Sequence, residues 1–208
     1  MLNLFLVRHG HTIWNDTGGV AGRSDIALSE YGQRAVADLA DSWPSSAKLD
    51  SWHSSPLIRT MQTSQLLRDT VAHKLPLPQL VTDQRLVELD FGDWEGMTWQ
   101  TVHEQYAKQM QAWGEDWVNR SPPNGETFGQ QSARCIEWLQ AIQHQPDSTH
   151  NAVVVSHGGS IRALLCHCMG WPLTQAMDFQ IDPASVTVLE QTDMEGKWTL
   201  RKLNSQNF

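Results

Sequence analysis

The sequence predicts a three-layer α/β/α domain, in which a mixed, mostly parallel sheet is covered by helices on both faces and a helical lid is inserted into one connection. Three observations carry this. The runs Leu2–Val7 and Ala152–Val155 are too continuously apolar for half-exposed strands. Segments of helical periodicity lie between the strand segments, and both apolar runs end in the same grammar, a histidine followed by glycine. At 208 residues the chain can build one sizeable core and is short for two. Residues 1–208 are therefore expected to form a single domain with a lid insertion at about 95–127.

Leu2–Val7 stops at Arg8-His9-Gly10 and reads as a central strand buried on both faces. Ser29 suits the cap of a helix that begins near Glu30, turns Val36, Leu39 and Ala40 inward and ends before Pro44. Ser55-Pro56 opens another helix, with Pro56 at its first position and Leu57, Met61, Leu67 and Val71 in one stripe. A short strand that suits a sheet edge falls between Pro76 and Asp83, and Arg85–Gly96 reads as a loop. From Thr98 to Arg120 the pattern is helical and rich in Trp and Gln, until Pro122-Pro123-Asn124-Gly125 breaks it. This is the lid. Phe128, Cys135, Leu139 and Ile142 mark a further helix, and Ala152–Val155 a second buried strand ending at Ser156-His157-Gly158-Gly159. The helix that follows turns Ile161, Leu164, Leu165 and Cys168 inward. Ser185–Glu190 and Trp198–Leu203, around a polar segment containing Gly196, predict an antiparallel hairpin and hence a mixed sheet.

A net charge of −8 argues against broad nucleic-acid binding, so phosphate chemistry must be local. The three cysteines, Cys135, Cys166 and Cys168, lack the spacing of a disulfide framework and suit a reducing compartment. The run Leu4–Val7 is too short for a signal peptide, and no stretch approaches a membrane span. A cytoplasmic protein without membrane or nucleic-acid partners is expected, as monomer or homodimer.

If the two His-Gly strands are parallel neighbours, His9 and His157 emerge side by side, and the glycines let backbone approach a bound anion. Amides of the helix after Gly158 add donors. Arg8 and Arg59 offer forked donors matched to phosphoryl oxygens. Phosphoryl transfer is mostly positioning and charge stabilisation, and loss of one such donor should cost roughly 3 kcal/mol, about a hundredfold in rate. Each residue also has a plainer reading: an isolated His-Gly pair is more often a core or surface feature, Arg59 a solvated helix residue, Glu88 a loop acid and Asn15 a turn former. Their co-occurrence reverses those odds. Zinc on His9 and His11 lacks completing ligands and would face nearby arginines. Cys166-His167-Cys168 points three ways on a helix, so the cysteines read as structural.

Four separated motifs resemble the histidine phosphatase superfamily, with its phosphoglycerate mutase-like fold. They are Leu6-Val7-Arg8-His9-Gly10 followed by Asn15, Ser54-Ser55-Pro56-Leu57-Ile58-Arg59, Leu86-Val87-Glu88 with Phe91-Gly92-Asp93-Trp94-Glu95-Gly96, and Val155-Ser156-His157-Gly158-Gly159. The resemblance implies that His9 attacks phosphorus, that Arg8, Arg59 and His157 hold the phosphoryl oxygens with help from Asn15 and Gly158, and that Glu88 is the proton donor. It implies no cofactor and no metal. A hydrogen bond from the other ring nitrogen of His9 to a backbone carbonyl is expected to fix its tautomer. His11 departs from the pattern, where an acid or its amide is usual, with the pocket entrance or the basicity of the site as what it could alter.

Within the superfamily, Phe91–Glu95, Trp113-Gly114-Glu115-Asp116-Trp117, Asn124-Gly125-Glu126 and Leu203-Asn204-Ser205 look most like the α-ribazole phosphatases of cobalamin biosynthesis. That likeness implies a small phosphate ester, α-ribazole 5′-phosphate, whose flat base an aromatic lid could stack on. Trp94, Trp113, Trp117, Gly22 and Arg23 are the substrate-binding candidates, although tryptophans at helical spacing are more often packing. The alternatives are a broad-specificity phosphatase, a 2,3-bisphosphoglycerate-dependent mutase and a non-catalytic phospholigand-binding module.

Overall fold

The computed structural model describes residues 1–44, 48–143, 149–192 and 196–208. In chain order the elements are β1 (Leu2–Arg8), α1 (Ile13–Thr17), α2 (Glu30–Asp41), β2 (Ser51–Ser54), α3 (Ile58–Val71), β3 (Leu80–Thr82), α4 (Trp99–Gln105), α5 (Ala107–Glu115), α6 (Phe128–Gln143), β4 (His150–Ser156), α7 (Gly158–Met169), β5 (Val186–Gln191) and β6 (Trp198–Ser205). The six strands lie in the order β3-β2-β4-β1-β5-β6. The first four of that order pair in parallel, and β5 runs antiparallel to both β1 and β6. This is the mixed, mostly parallel sheet the sequence predicts.

Alternation along the central strands divides the core. Leu2, Leu4 and Leu6 of β1, with Ala152 and Val154 of β4, face α6 and α7. Val7, Val153 and Val155 face α2 and α3 on the other side, so both faces of β1 and β4 are buried. That explains why these two strands read as unbroken apolar runs.

β2 was not expected, since Ser51, His53 and Ser54 give no apolar run; Trp52 alone anchors it, fully buried against α3's face. Its parallel partners β3 and β4 impose the extended conformation from outside. α2 begins as expected, with the Ser29 hydroxyl accepting from Gly32 N at 3.1 Å. α3 differs. It starts at Ile58 with Leu57 as its cap, leaving Pro56 outside the helix. The free amide of Ile58 is met from a distant loop by Asp25 Oδ1 at 2.6 Å. Its buried face is Arg59, Thr60, Thr63 and Ser64 before Leu67 and Val71, while Leu57 and Met61 are only half-buried. Arg59, at the start of this polar face, reaches the cleft at the strand ends, and Thr63 Oγ1 accepts from Gly10 N at 3.1 Å.

The stretch between Arg85 and Gly96 is a loop with single-turn helices at Gln84–Leu86 and Gly92–Trp94. In the lid, the helical pattern breaks at Tyr106 and stops at Glu115. Val20, Trp94 and Val102, with Phe91, Met97, Tyr106, Met110 and Trp113 against them, give the lid a small core of its own. β5 and β6 pair antiparallel as the hairpin expected, with residues 193–195 outside the described residues. No described helix is long and apolar enough to cross a membrane.

Candidate active site

The parallel register of β1 and β4 pairs Val7 with Val155 and Arg8 with Ser156, so the next residue on each strand is a histidine. His9 N donates to Ser156 O at 3.0 Å, extending the ladder by one bond. The rings of His9 and His157 meet edge-on, 5.2 Å between centroids. Both are buried, His9 at 5% exposure.

His9 Nδ1 lies 2.7 Å from Gly10 O, an acceptor only, so this nitrogen carries the hydrogen and Nε2 keeps its lone pair. Burial, and then the cations Arg59 and Arg8, hold His9 well below the ordinary range of an imidazole. The ring is neutral, and its tautomer is the one expected. His157 is likewise held low, by burial and then Arg59. Its Nε2 contacts Ser55 Oγ at 2.8 Å, whereas its buried Nδ1 has no partner within the described residues.

Arg59 is 1% exposed and held at all three nitrogens: Nη1 donates to Ser24 O (2.7 Å), Nη2 to Gly22 O (2.6 Å) and Nε towards His9 Nε2 (3.3 Å), which leaves one N–H on each terminal nitrogen. Arg8 donates from Nη1 to Ile181 O at 2.6 Å, while its buried Nε is unpartnered among the described residues. Burial draws Arg8 down to about 10, opposed by Glu88, and it remains a cation at neutral pH. Glu88 is gripped by three N–H donors, from Leu89 (2.9 Å), Gln131 Nε2 (2.8 Å) and Gly159 (3.0 Å).

A cleft of about 250 Å³ is lined by Arg8, His9, Asn15, Arg59 and Glu88, with Trp14, Phe91 and Trp99 among its walls. The five expected core residues thus converge, four bordering the cleft and His157 packed on His9. Asn15 borders it too, but its Oδ1 is occupied by Thr12 N (2.8 Å) and Thr12 Oγ1 (3.0 Å) as the cap of α1. Gly158 serves by lacking a side chain, since a Cβ there would sit 2.9 Å from Arg162 Nη1 and 3.6 Å from Arg8.

The substrate-binding candidates fare differently. Trp94 is fully buried in the lid core, Trp113 packs 5.6 Å from it, and Trp117 packs on Phe128 at 4.9 Å. None of the three lines the cleft, because Trp94 and Trp113 pack in the lid core and Trp117 against the α6–α7 cluster; Trp14 and Trp99 are the tryptophans at its wall. Gly22 lines the cleft through backbone that holds Arg59, and Arg23 pairs with Asp90 (3.4 Å) and Glu126 (3.2 Å). His11 borders a neighbouring cleft of about 280 Å³ with Arg34 and Asp38, its ring 4.9 Å from Tyr31. Sequence reasoning missed Ser55 and Gln131, which contact His157 and Glu88, and Arg162, whose charge acts on Arg8. Arg162 was the most accessible of these, being one helical turn beyond Gly158 on α7. Among the described residues no group of three or more His, Cys, Asp or Glu could hold a metal ion. The three cysteines are free and buried, with burial pushing Cys135 up to about 12.

A neutral imidazole with a lone pair on Nε2, two guanidinium groups and a carboxyl around one cleft can receive a tetrahedral anion, attack it and exchange a proton with what leaves. The family model described as histidine phosphatase superfamily (branch 1) matches residues 4–206. Phosphoserine phosphatase 1 of Hydrogenobacter thermophilus is 31% identical over 204 residues, covering 98% of this chain and 92% of its own. The adenosylcobalamin/alpha-ribazole phosphatase of Escherichia coli is 30% identical over 209 residues, covering 99% and 97%. The crystal structure of the alpha-ribazole phosphatase from Shigella flexneri matches with a TM-score of 0.84 at 28% identity, covering 99% of this chain and 97% of that one.

Proposed function

The chain belongs to branch 1 of the histidine phosphatase superfamily, and on that premise we propose that it is a phosphomonoesterase that hydrolyses α-ribazole 5′-phosphate through a phosphohistidine on His9. One observation carries the reading: a buried, neutral His9 whose Nδ1 is tied to Gly10 O, leaving Nε2 beside Arg59. Residues 1–208 act as one domain, with the lid at about 95–127 contributing Trp99 to the wall of the cleft.

In the first half-reaction His9 Nε2 attacks phosphorus, the ester P–O bond breaks, and Glu88 gives its proton to the departing alkoxide. Arg8, Arg59 and His157 hold the phosphoryl oxygens, His157 through its unpartnered Nδ1–H. In the second, water attacks phosphorus, the P–N bond breaks, and the Glu88 carboxylate takes the water's proton. Every proton is accounted for without a metal.

The substrate rests on the relatives named for α-ribazole phosphate and on the aromatic wall of Trp14, Phe91 and Trp99, which suits a flat base. Phosphoserine is the second reading, favoured by the 31% identity to a phosphoserine phosphatase. A panel of α-ribazole 5′-phosphate, phosphoserine and 3-phosphoglycerate with its bisphosphate cofactor, assayed under EDTA, separates them. The highest kcat/KM is expected for α-ribazole 5′-phosphate; preference for phosphoserine, or formation of 2-phosphoglycerate, overturns the assignment. His9→Ala is expected to lose at least about a thousandfold in kcat and all acid-labile phosphate on the protein.

A further inference from the structure

Gln131, in the first turn of α6, is fully buried and yet polar. Its Nε2 donates to Glu88 Oε1 at 2.8 Å and to Ser160 Oγ at 3.1 Å. Its Oε1 is buried and has no donor among the described residues. Such an orphaned acceptor is destabilising, and an apolar side chain of similar size would avoid it. The arrangement therefore calls for a state in which that oxygen is used.

We propose that Gln131 is a positioning residue for Glu88 that serves both protonation states of the carboxyl by turning its amide over. Ionised, Glu88 needs donors, and it has Gln131 Nε2 with the Leu89 and Gly159 amides. Protonated, it carries an O–H near a group that otherwise offers only N–H. A half-turn of the Gln131 amide then presents Oε1 as acceptor in the same place, and the acid proton is held until the alkoxide needs it.

Two surroundings permit this turn. A Cβ on Gly159 would lie 2.9 Å from Oε1 and 3.0 Å from Nε2, so both ends of the amide lie against a residue with no side chain to obstruct it. Ser160 Oγ, which accepts from Nε2, also reaches Val87 O (2.9 Å) and Leu86 O (3.3 Å), so its hydroxyl hydrogen has alternative acceptors as the amide reverses.

The inference rests on Glu88 being the proton donor, and leaving-group dependence separates the two claims. An alkyl phosphate needs its departing oxygen protonated, whereas p-nitrophenolate leaves as the anion. In Gln131→Leu, kcat for alkyl phosphates is expected to fall about tenfold or more. KM and the p-nitrophenolate burst should stay within about twofold, which also shows that the variant is folded. Gln131→Glu sets a second carboxyl against Glu88 and is expected to move the basic limb of the alkyl-phosphate pH profile upward, as paired carboxyls retain a shared proton. Equal losses on both ester classes, or an unmoved limb in Gln131→Glu, overturn the role of Gln131. If Glu88→Gln leaves alkyl-phosphate turnover intact, the reading of Glu88 itself fails.

Discussion

Arg59 approaches any anion already immobilised, because the carbonyls of Gly22 and Ser24 take its two terminal nitrogens. Little side-chain freedom is left to lose on binding. The arrangement depends on Gly22, whose φ of 47° is one that glycine adopts readily, and whose added Cβ would stand 2.0 Å from Glu95 Oε1. Gly22→Ala is expected to shift the carbonyl that steers Arg59 and to lower kcat/KM about tenfold or more, with the far-UV circular dichroism unchanged. Unchanged kinetics would dissociate the loop from the guanidinium. Residues that end strands, such as His9 and His157, were legible in the sequence because strand, histidine and glycine fall in one short word. Gln131 and Ser55 were not, since a polar residue on a helix or in a loop reads as solvated until its neighbours are known.

Among the elements, the loop carrying Glu88 owes its shape to α6. Arg134 donates to both oxygens of Glu126 at 2.8 Å and to the carbonyls of Arg85 (2.8 Å), Val87 (2.7 Å) and Glu88 (3.0 Å). This one side chain fastens the loop and the end of the lid to a single helix. Arg134→Met is expected to destabilise the protein by about 3 kcal/mol in denaturant titration and to lower kcat, because Glu126 keeps its charge and loses its main partner. Adding Glu126→Met should recover part of the stability, and additive losses would contradict the pairing. The boundaries of β1, α2, α6, β4 and α7 followed closely from periodicity and caps. β2 and the start of α3 did not, because their conformation is set across the sheet by β4 and across the loop by Asp25. Local sequence carries no trace of either.

For the molecule as a whole, the two buried histidines tie stability to pH. His9 and His157 are neutral when folded, held far below 6.5 by burial and the arginines, but bind a proton near pH 6.5 when unfolded. Below that pH the unfolded chain holds more protons, so stability is full above about pH 7 and is lost as the pH falls, by up to about 1.4 kcal/mol per unit for each histidine. His53, drawn down to about 4 by burial, acts in the same direction. Denaturation midpoints at pH 7.5 and 5.5 check this, with the lower midpoint expected at pH 5.5; equal midpoints would contradict it.

The strand order has a further consequence during synthesis. β1 is flanked by β4 and β5, both encoded in the last third of the chain. Its apolar residues leave the ribosome well before those partners and stay without sheet neighbours until residues 150–156 and 186–191 have followed. Until then the nascent chain carries an uncovered, sticky segment, open to chaperones and to other unfinished copies.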